Sequence, residues 1–259
     1  MTGSPLIIGH RGASFHAPEN TLAAFRMALE AGADGVEFDV QLAKDGVPVV
    51  IHDIDLKRTG LRSERVADLT SKELGEIDVG SWFNRKHPQR ADSAFTSETV
   101  PTLVNVLQLL NSSNGPIYYI ELKCNKATFK PLCSVVCDVI RDSPMLPRMI
   151  VKSFELAVIP EVRRFLRDVQ TAALFEPSAM TILRRRKHII AMAREVGAHQ
   201  ISIHHTLVTH TLVAEAAEAE MPITIWTADD PKWVSRCQEL GIGALITNDP
   251  AKLVVARIR

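Results

Sequence analysis

Hydrophobic positions in this chain fall into short runs, separated by longer stretches in which apolar residues recur every three or four positions. The runs PLIIGH (5–10), GVEFDV (35–40), IYYIELK (117–123), MIVKSF (149–154), TAALFE (171–176), QISIHH (200–205), PITIWTA (222–228) and GALITND (243–249) predict strands. Helical spacing predicts helices over 18–33, 102–111, 127–141, 155–167, 179–196, 209–220, 230–240 and 250–257. VPVVIH (47–52), behind a KDG turn, reads as a hairpin return. Setting it aside, eight strands alternate with helices, which argues for a parallel sheet. Eight such units in about 250 residues predict a TIM (β/α)8 barrel of class α/β. A doubly wound open sheet has the same alternation, and strand count does not exclude it.

One segment breaks the rhythm. Residues 54–100 are polar and irregular and lack the apolar content of a second core. They read as a small insertion subdomain after the second strand, overhanging the barrel mouth, within a single domain over 1–259.

The totals bound what the barrel can do. The chain has 259 residues, 46% of them hydrophobic, enough for a full core. Thirty basic and thirty acidic residues cancel, so no general field draws in nucleic acid or an anionic membrane. The four cysteines form no CxxC pair, there is no apolar run of transmembrane length, and no signal segment is evident. The expectation is a reduced, cytoplasmic protein with a small-molecule substrate, no nucleic-acid partner and no transmembrane segment.

Local charge then carries the chemistry. Glu37 and Asp39 are two apart on one strand and share a face, as do Glu121 and Lys123. His10 and Arg11 end the first strand, and His52 ends the hairpin return with Asp53 behind it. In a barrel the C-terminal strand ends form the active face. Three carboxylates around one space call for a divalent cation, and hard oxygen ligands favour Mg²⁺ or Ca²⁺. Arg11 and Lys123 suit a phosphate, and two histidines suit proton transfer near neutral pH. Together these predict hydrolysis of a phosphate ester.

The segments HRGAS…APENTLAAF, GVEFDVQLAKDGVPVVIHD, RTG…VADLT, GSWF, PTL, IELK, WTAD and ALITNDP resemble the glycerophosphodiester phosphodiesterase family, through nearly the whole chain. The resemblance implies a TIM barrel with an insertion after the second strand. It implies metal ligation by Glu37, Asp39 and Glu121, acid–base catalysis by His10 and His52, and phosphate contacts from Arg11 and Lys123. The implied products are sn-glycerol 3-phosphate and an alcohol. Three places depart from the family pattern. Phe15-His16 replace a small residue and an aromatic, Asn248 stands where Asp is common, and Asp229 stands where Asn is common.

Other readings compete at single positions. Glu37 and Asp39 also fit a structural ion-pair cluster with Arg11 and Lys123, and Lys123 fits a Schiff-base lysine. Trp226 reads equally as core packing or as a wall of the substrate pocket, and His204 as a substrate contact or a structural histidine. Ser153 and Glu176 lie at strand ends without an assigned role. The basic run at 184–188 reads as a solvated helix face, and Cys133 and Cys137 as packing thiols. Two rivals to the diesterase reading share the site: a lysophospholipase D, and a phosphate-ester binding protein without turnover. The mostly polar insertion, with Trp82 and Phe83 as its greasy anchor, favours small substrates.

Overall fold

The computed structural model describes residues 3–113, 115–177 and 188–258. Its strands are β1 (Leu6–His10), β2 (Gly35–Leu42), β3 (Pro48–Val50), β4 (Tyr118–Leu122), β5 (Met149–Ser153), β6 (Gln170–Phe175), β7 (Gln200–His204), β8 (Ile223–Trp226) and β9 (Ala244–Thr247). All but β3 run parallel, in the order β1-β9-β8-β7-β6-β5-β4-β2, and β1 also pairs with β2. That last pairing closes the sheet into a TIM barrel and removes the open-sheet alternative. β3 runs antiparallel along β2, as the hairpin reading expects.

Two layers of core hold the barrel. Ile8, Tyr119, Ile150, Ala172 and Ile246 fill its interior. Outward-facing strand residues such as Val36, Phe38, Ile201 and Leu245 pack beneath the surrounding helices. Three interior polar groups pair with one another: the Tyr119 hydroxyl lies 2.8 Å from Thr224 Oγ1, which donates to Gln200 Oε1. Cys133, Cys137 and Cys237 are buried thiols in the helix–strand layers, as packing predicts.

One expectation changes. The helix expected over 18–33 is Leu22–Glu30, capped by Thr21, whose hydroxyl accepts from Ala24 N. Residues 11–20 instead form a turning loop in which Arg11 and Asn20 both have positive φ, at 54° and 59°. Gly12 sits at φ 84°, and a Cβ there would meet Ala24 backbone at 2.5 Å, so the loop is folded tightly onto the helix start. The excursion over 54–100 is a small structured insertion, in line with the reading of that segment. The helices Ser71–Leu74 and Ser81–Lys86, with short 3₁₀ turns, bury Leu56, Val66, Leu74 and Ile77 against Val49 and Ile51. Trp82 and Phe83 pack with Phe95, Ala17 and Ala24, so they anchor the excursion to the first helix rather than line its surface. Part of the helix expected over 179–196, with residues 184–187 of the basic run, lies outside the described residues; its remainder is Ile189–Glu195.

Candidate active site

Register assembles the site. His10 lies beside Glu37 across β1 and β2, Asp39 beside Glu121 across β2 and β4, and Glu121 beside Lys152 across β4 and β5. His10, Glu121 and Lys152 lie at or next to the C-terminal ends of their strands, Glu37 and Asp39 lie within β2, and their side chains meet at the barrel mouth. Ligand atoms of Glu37, Asp39 and Glu121 lie within 4.8 Å of one another, and all three residues are buried.

The cluster contains its own counter-charges. Lys123 Nζ is 3.2 Å from Asp39 Oδ1 and also contacts Glu121 Oε1. Arg11 Nε is 3.1 Å from Asp39 Oδ2, and its backbone N–H donates to Glu37 Oε2. Lys152, 2% exposed, puts Nζ 2.9 Å from Glu37 Oε1 and 3.6 Å from Glu121 Oε2. Asn20 Nδ2 donates to Asp39 Oδ2 at 2.8 Å and orients that carboxylate.

Burial alone would raise each carboxyl's pKa. At Asp39 it is outweighed by Lys123, Arg11 and His52, which hold the group well below the usual range. At Glu37 it is outweighed by Lys152 and His10. At Glu121 burial prevails over Lys152 and Lys123, and the like charges of Asp39 and Glu37 add to it, so its pKa is raised. Lys123 is also buried, yet Asp39 and Glu121 raise its pKa. Burial lowers His10, opposed by Glu37 and assisted by Arg11, which favours a neutral ring.

A divalent cation fits these residues. Glu37 Oε1, Asp39 Oδ1 and Glu121 Oε1 are buried and accept no well-directed hydrogen bond; only lysine ammoniums face them at ion-pair distance. Three hard oxygen donors that converge and lack hydrogen bonds match Mg²⁺ or Ca²⁺ chemistry.

The two histidines are braced differently. His10 Nδ1 lies 2.7 Å from Asn248 Oδ1, and its Nε2 is 3.9 Å from Glu37 Oε2. His52 Nδ1 lies 2.7 Å from Asp53 Oδ1. Asp53 Oδ2 accepts from Arg58 Nε, Arg58 makes two bonds to Glu19, and Glu19 accepts from Arg11 Nη1 at 2.8 Å. A continuous ionic chain therefore links the loop after β1 to His52 through the excursion.

A cavity of about 190 Å³ opens over this cluster, lined by residues including His10, Arg11, His52, Glu121, Lys123 and Lys152. Phe154, Glu176, Trp226 and Thr227 complete its wall. Trp226 thus faces the cavity, while His204 stands behind it, its ring 5.2 Å from the indole and Nδ1 beside Thr206 Oγ1. Lys152 and Phe154 were legible only as part of a strand run, and Glu19 and Asn20 were hidden in an expected helix. The parity that paired Glu121 with Lys123 also puts Lys152 in phase with Ile150 on the interior face, a signal that a lone lysine does not advertise.

The arrangement is a buried carboxylate trio beside three cationic groups and two braced imidazoles, at the mouth of a TIM barrel. It belongs to the class of barrel hydrolases that act on phosphate esters. The profile of the glycerophosphoryl diester phosphodiesterase family matches residues 10–252. A glycerophosphodiester phosphodiesterase from Caldanaerobacter subterraneus is 30% identical over 249 residues, 96% of each chain. Among solved structures, an Oleispira antarctica phosphodiesterase in complex with the product sn-glycerol-3-phosphate superposes with a TM-score of 0.85 at 24% identity. That match covers 99% of this chain and 98% of the other. A glycerophosphodiester phosphodiesterase from Agrobacterium tumefaciens gives 0.77 at 25% identity, covering 97% and 99%. The chain belongs to the glycerophosphoryl diester phosphodiesterase family.

Proposed function

We propose that this protein hydrolyses small glycerophosphodiesters to sn-glycerol 3-phosphate and an alcohol, with His10 and His52 as the acid–base pair. The observation that carries this reading is the convergence of Glu37, Asp39 and Glu121 with both histidines on one cavity. Glu37, Asp39 and Glu121 would hold one Mg²⁺ or Ca²⁺, which when bound supplies charge neutralisation for the phosphate oxygens. Arg11 and Lys123 would bind and orient the phosphate by charge-assisted hydrogen bonds.

The substrate's own glycerol hydroxyl attacks phosphorus. One histidine takes the hydroxyl proton, the bond from phosphorus to the leaving alcohol breaks, and the other histidine protonates that alcohol. Water then adds to the cyclic phosphate with the proton roles reversed and opens the ring to the phosphomonoester. Trp226 and Phe154 would wall the glycerol or alcohol end of the pocket.

The cavity volume is below the roughly 300–1,000 Å³ of sites that enclose drug-sized ligands, which supports a small polar diester. A second reading, lysophospholipase D, is favoured by exposed Phe15, Ile54, Leu61 and Phe154, all on segments that follow mouth-side strand ends. Incubation with glycerophosphocholine or lysophosphatidylcholine, after EDTA treatment and metal add-back, separates the two. Metal-restored release of glycerol 3-phosphate from the first is the expected result. Turnover of the lysolipid alone would transfer the assignment to the second reading. Turnover of neither would leave a binding protein. His10→Ala is expected to lower turnover by at least ~100-fold while metal still binds in calorimetry.

A further inference from the structure

Asn248 and Asp229 form a hydrogen-bond chain behind His10 with only one self-consistent polarity. Asp229 Oδ1 accepts from Thr247 Oγ1 and from the Asn248 backbone N–H, each at 2.8 Å. Asp229 Oδ2 accepts from Asn248 Nδ2 at 2.8 Å. A carboxylate in this position only accepts, so the Asn248 amide must turn its NH₂ toward Asp229. Its Oδ1 is then forced toward His10 Nδ1, at 2.7 Å, and also accepts from Ser14 Oγ at 3.0 Å. An acceptor that already faces Nδ1 requires the ring proton to be there.

We infer that Asp229 and Asn248 are positioning residues that fix the His10 tautomer, placing its proton on Nδ1 and leaving Nε2 bare toward the carboxylate cluster. His10 Nε2 is the nitrogen 3.9 Å from Glu37 Oε2 and is therefore the one aimed at the reacting groups. A ring in the other tautomer would present an N–H where a proton must be received. The inference rests on the proposed catalytic role of His10.

The polarity argument makes a reciprocal prediction. In Asp229→Asn the new amide keeps accepting from Thr247 and the Asn248 backbone, so its NH₂ faces the Asn248 NH₂. Two donors cannot bond, so Asn248 flips, and its NH₂ faces His10 Nδ1. The ring proton then moves to Nε2. Exchanging both residues, Asp229→Asn with Asn248→Asp, restores donor against acceptor at each link, because the new carboxylate again accepts from His10 Nδ1.

The test is nitrogen–proton correlation NMR of the His10 ring, alongside steady-state kinetics on glycerophosphocholine. The parent protein is expected to carry its ring proton on Nδ1. Asp229→Asn is expected to show it on Nε2, with kcat reduced by at least ~100-fold and KM within about threefold of the parent value. The double exchange is expected to return both the Nδ1 proton and kcat to within ~10-fold of the parent. An unchanged tautomer in Asp229→Asn, or a double exchange no better than Asp229→Asn alone, would overturn the inference. A parent protein without turnover would refute the proposed reaction instead, and the ring spectra would still decide the positioning question on their own.

Discussion

At the scale of the residue, the site was legible where strand parity exposed it. Glu37, Asp39 and Glu121 stood out because charge repeated at period two in apolar strands is costly without a partner or a metal. Lys152 did not stand out, since a single lysine near a strand end also fits an exposed position; its burial becomes visible only through the register with Glu121. Its ammonium occupies space beside two of the three carboxylates that a cation would share. At roughly 5 Å, two charges in a partly polar interior interact by about 3 kcal/mol, so this ammonium opposes a divalent cation. Lys152→Met is therefore expected to tighten Mg²⁺ or Ca²⁺ binding by at least about tenfold in calorimetry, while lowering the thermal stability of the metal-free protein; weaker binding would make Lys152 an organiser of the ligands instead. Glu121 gives the pH dependence. Its raised pKa means the metal-free protein retains a proton above the usual 4.5, and the carboxylate must lose it to ligate. Metal affinity should thus fall as pH drops through the interval between 4.5 and the raised value. Calorimetry in buffers of different ionisation heat should detect proton release there and little well above it.

At the scale of the element, the alternation of strands and helices was legible almost throughout, because apolar periodicity reports each strand's burial and each helix's inner face. The losses were at helix starts. Pro18 and Glu19 mimic a helix N-terminus, but Glu19 is drawn to Arg11 and Arg58 while Asn20 is drawn to Asp39, and the helix waits for Thr21. Tertiary ion pairs there override a local signal. The excursion's apolar residues are too sparse for a core alone, yet suffice when they pack on β3 and the first helix. Arg58 is its link to the chemistry. Arg58→Ala should leave the fold intact and lower kcat by about 10-fold or more, because Asp53 and Glu19 lose their shared bracket; unchanged kinetics would make the ionic chain a purely structural feature. Gly12→Ala should cost at least about 2 kcal/mol in denaturant unfolding, from positive φ and a backbone clash together.

At the scale of the whole molecule, a barrel with three buried carboxylates and three buried or half-buried cations at its mouth gains stability from whatever ion binds only the folded state. Saturating metal at about 100 times its Kd should add roughly 2.7 kcal/mol to unfolding, read as a rise in Tm, and Glu121→Gln should remove most of that rise. The same architecture has a temporal side. His10 sits on the first strand of the barrel, and the amide that braces it follows the last, 238 positions away in sequence. β1 pairs with β2 on one side and with β9 on the other, so the last strand in the sequence completes the ring against the first. A polypeptide emerging from the ribosome holds its carboxylates, lysines and both imidazoles long before it holds Asn248. On the proposed chemistry, such a nascent chain stays inert until the ring is zipped, and catalysis begins as the last act of folding.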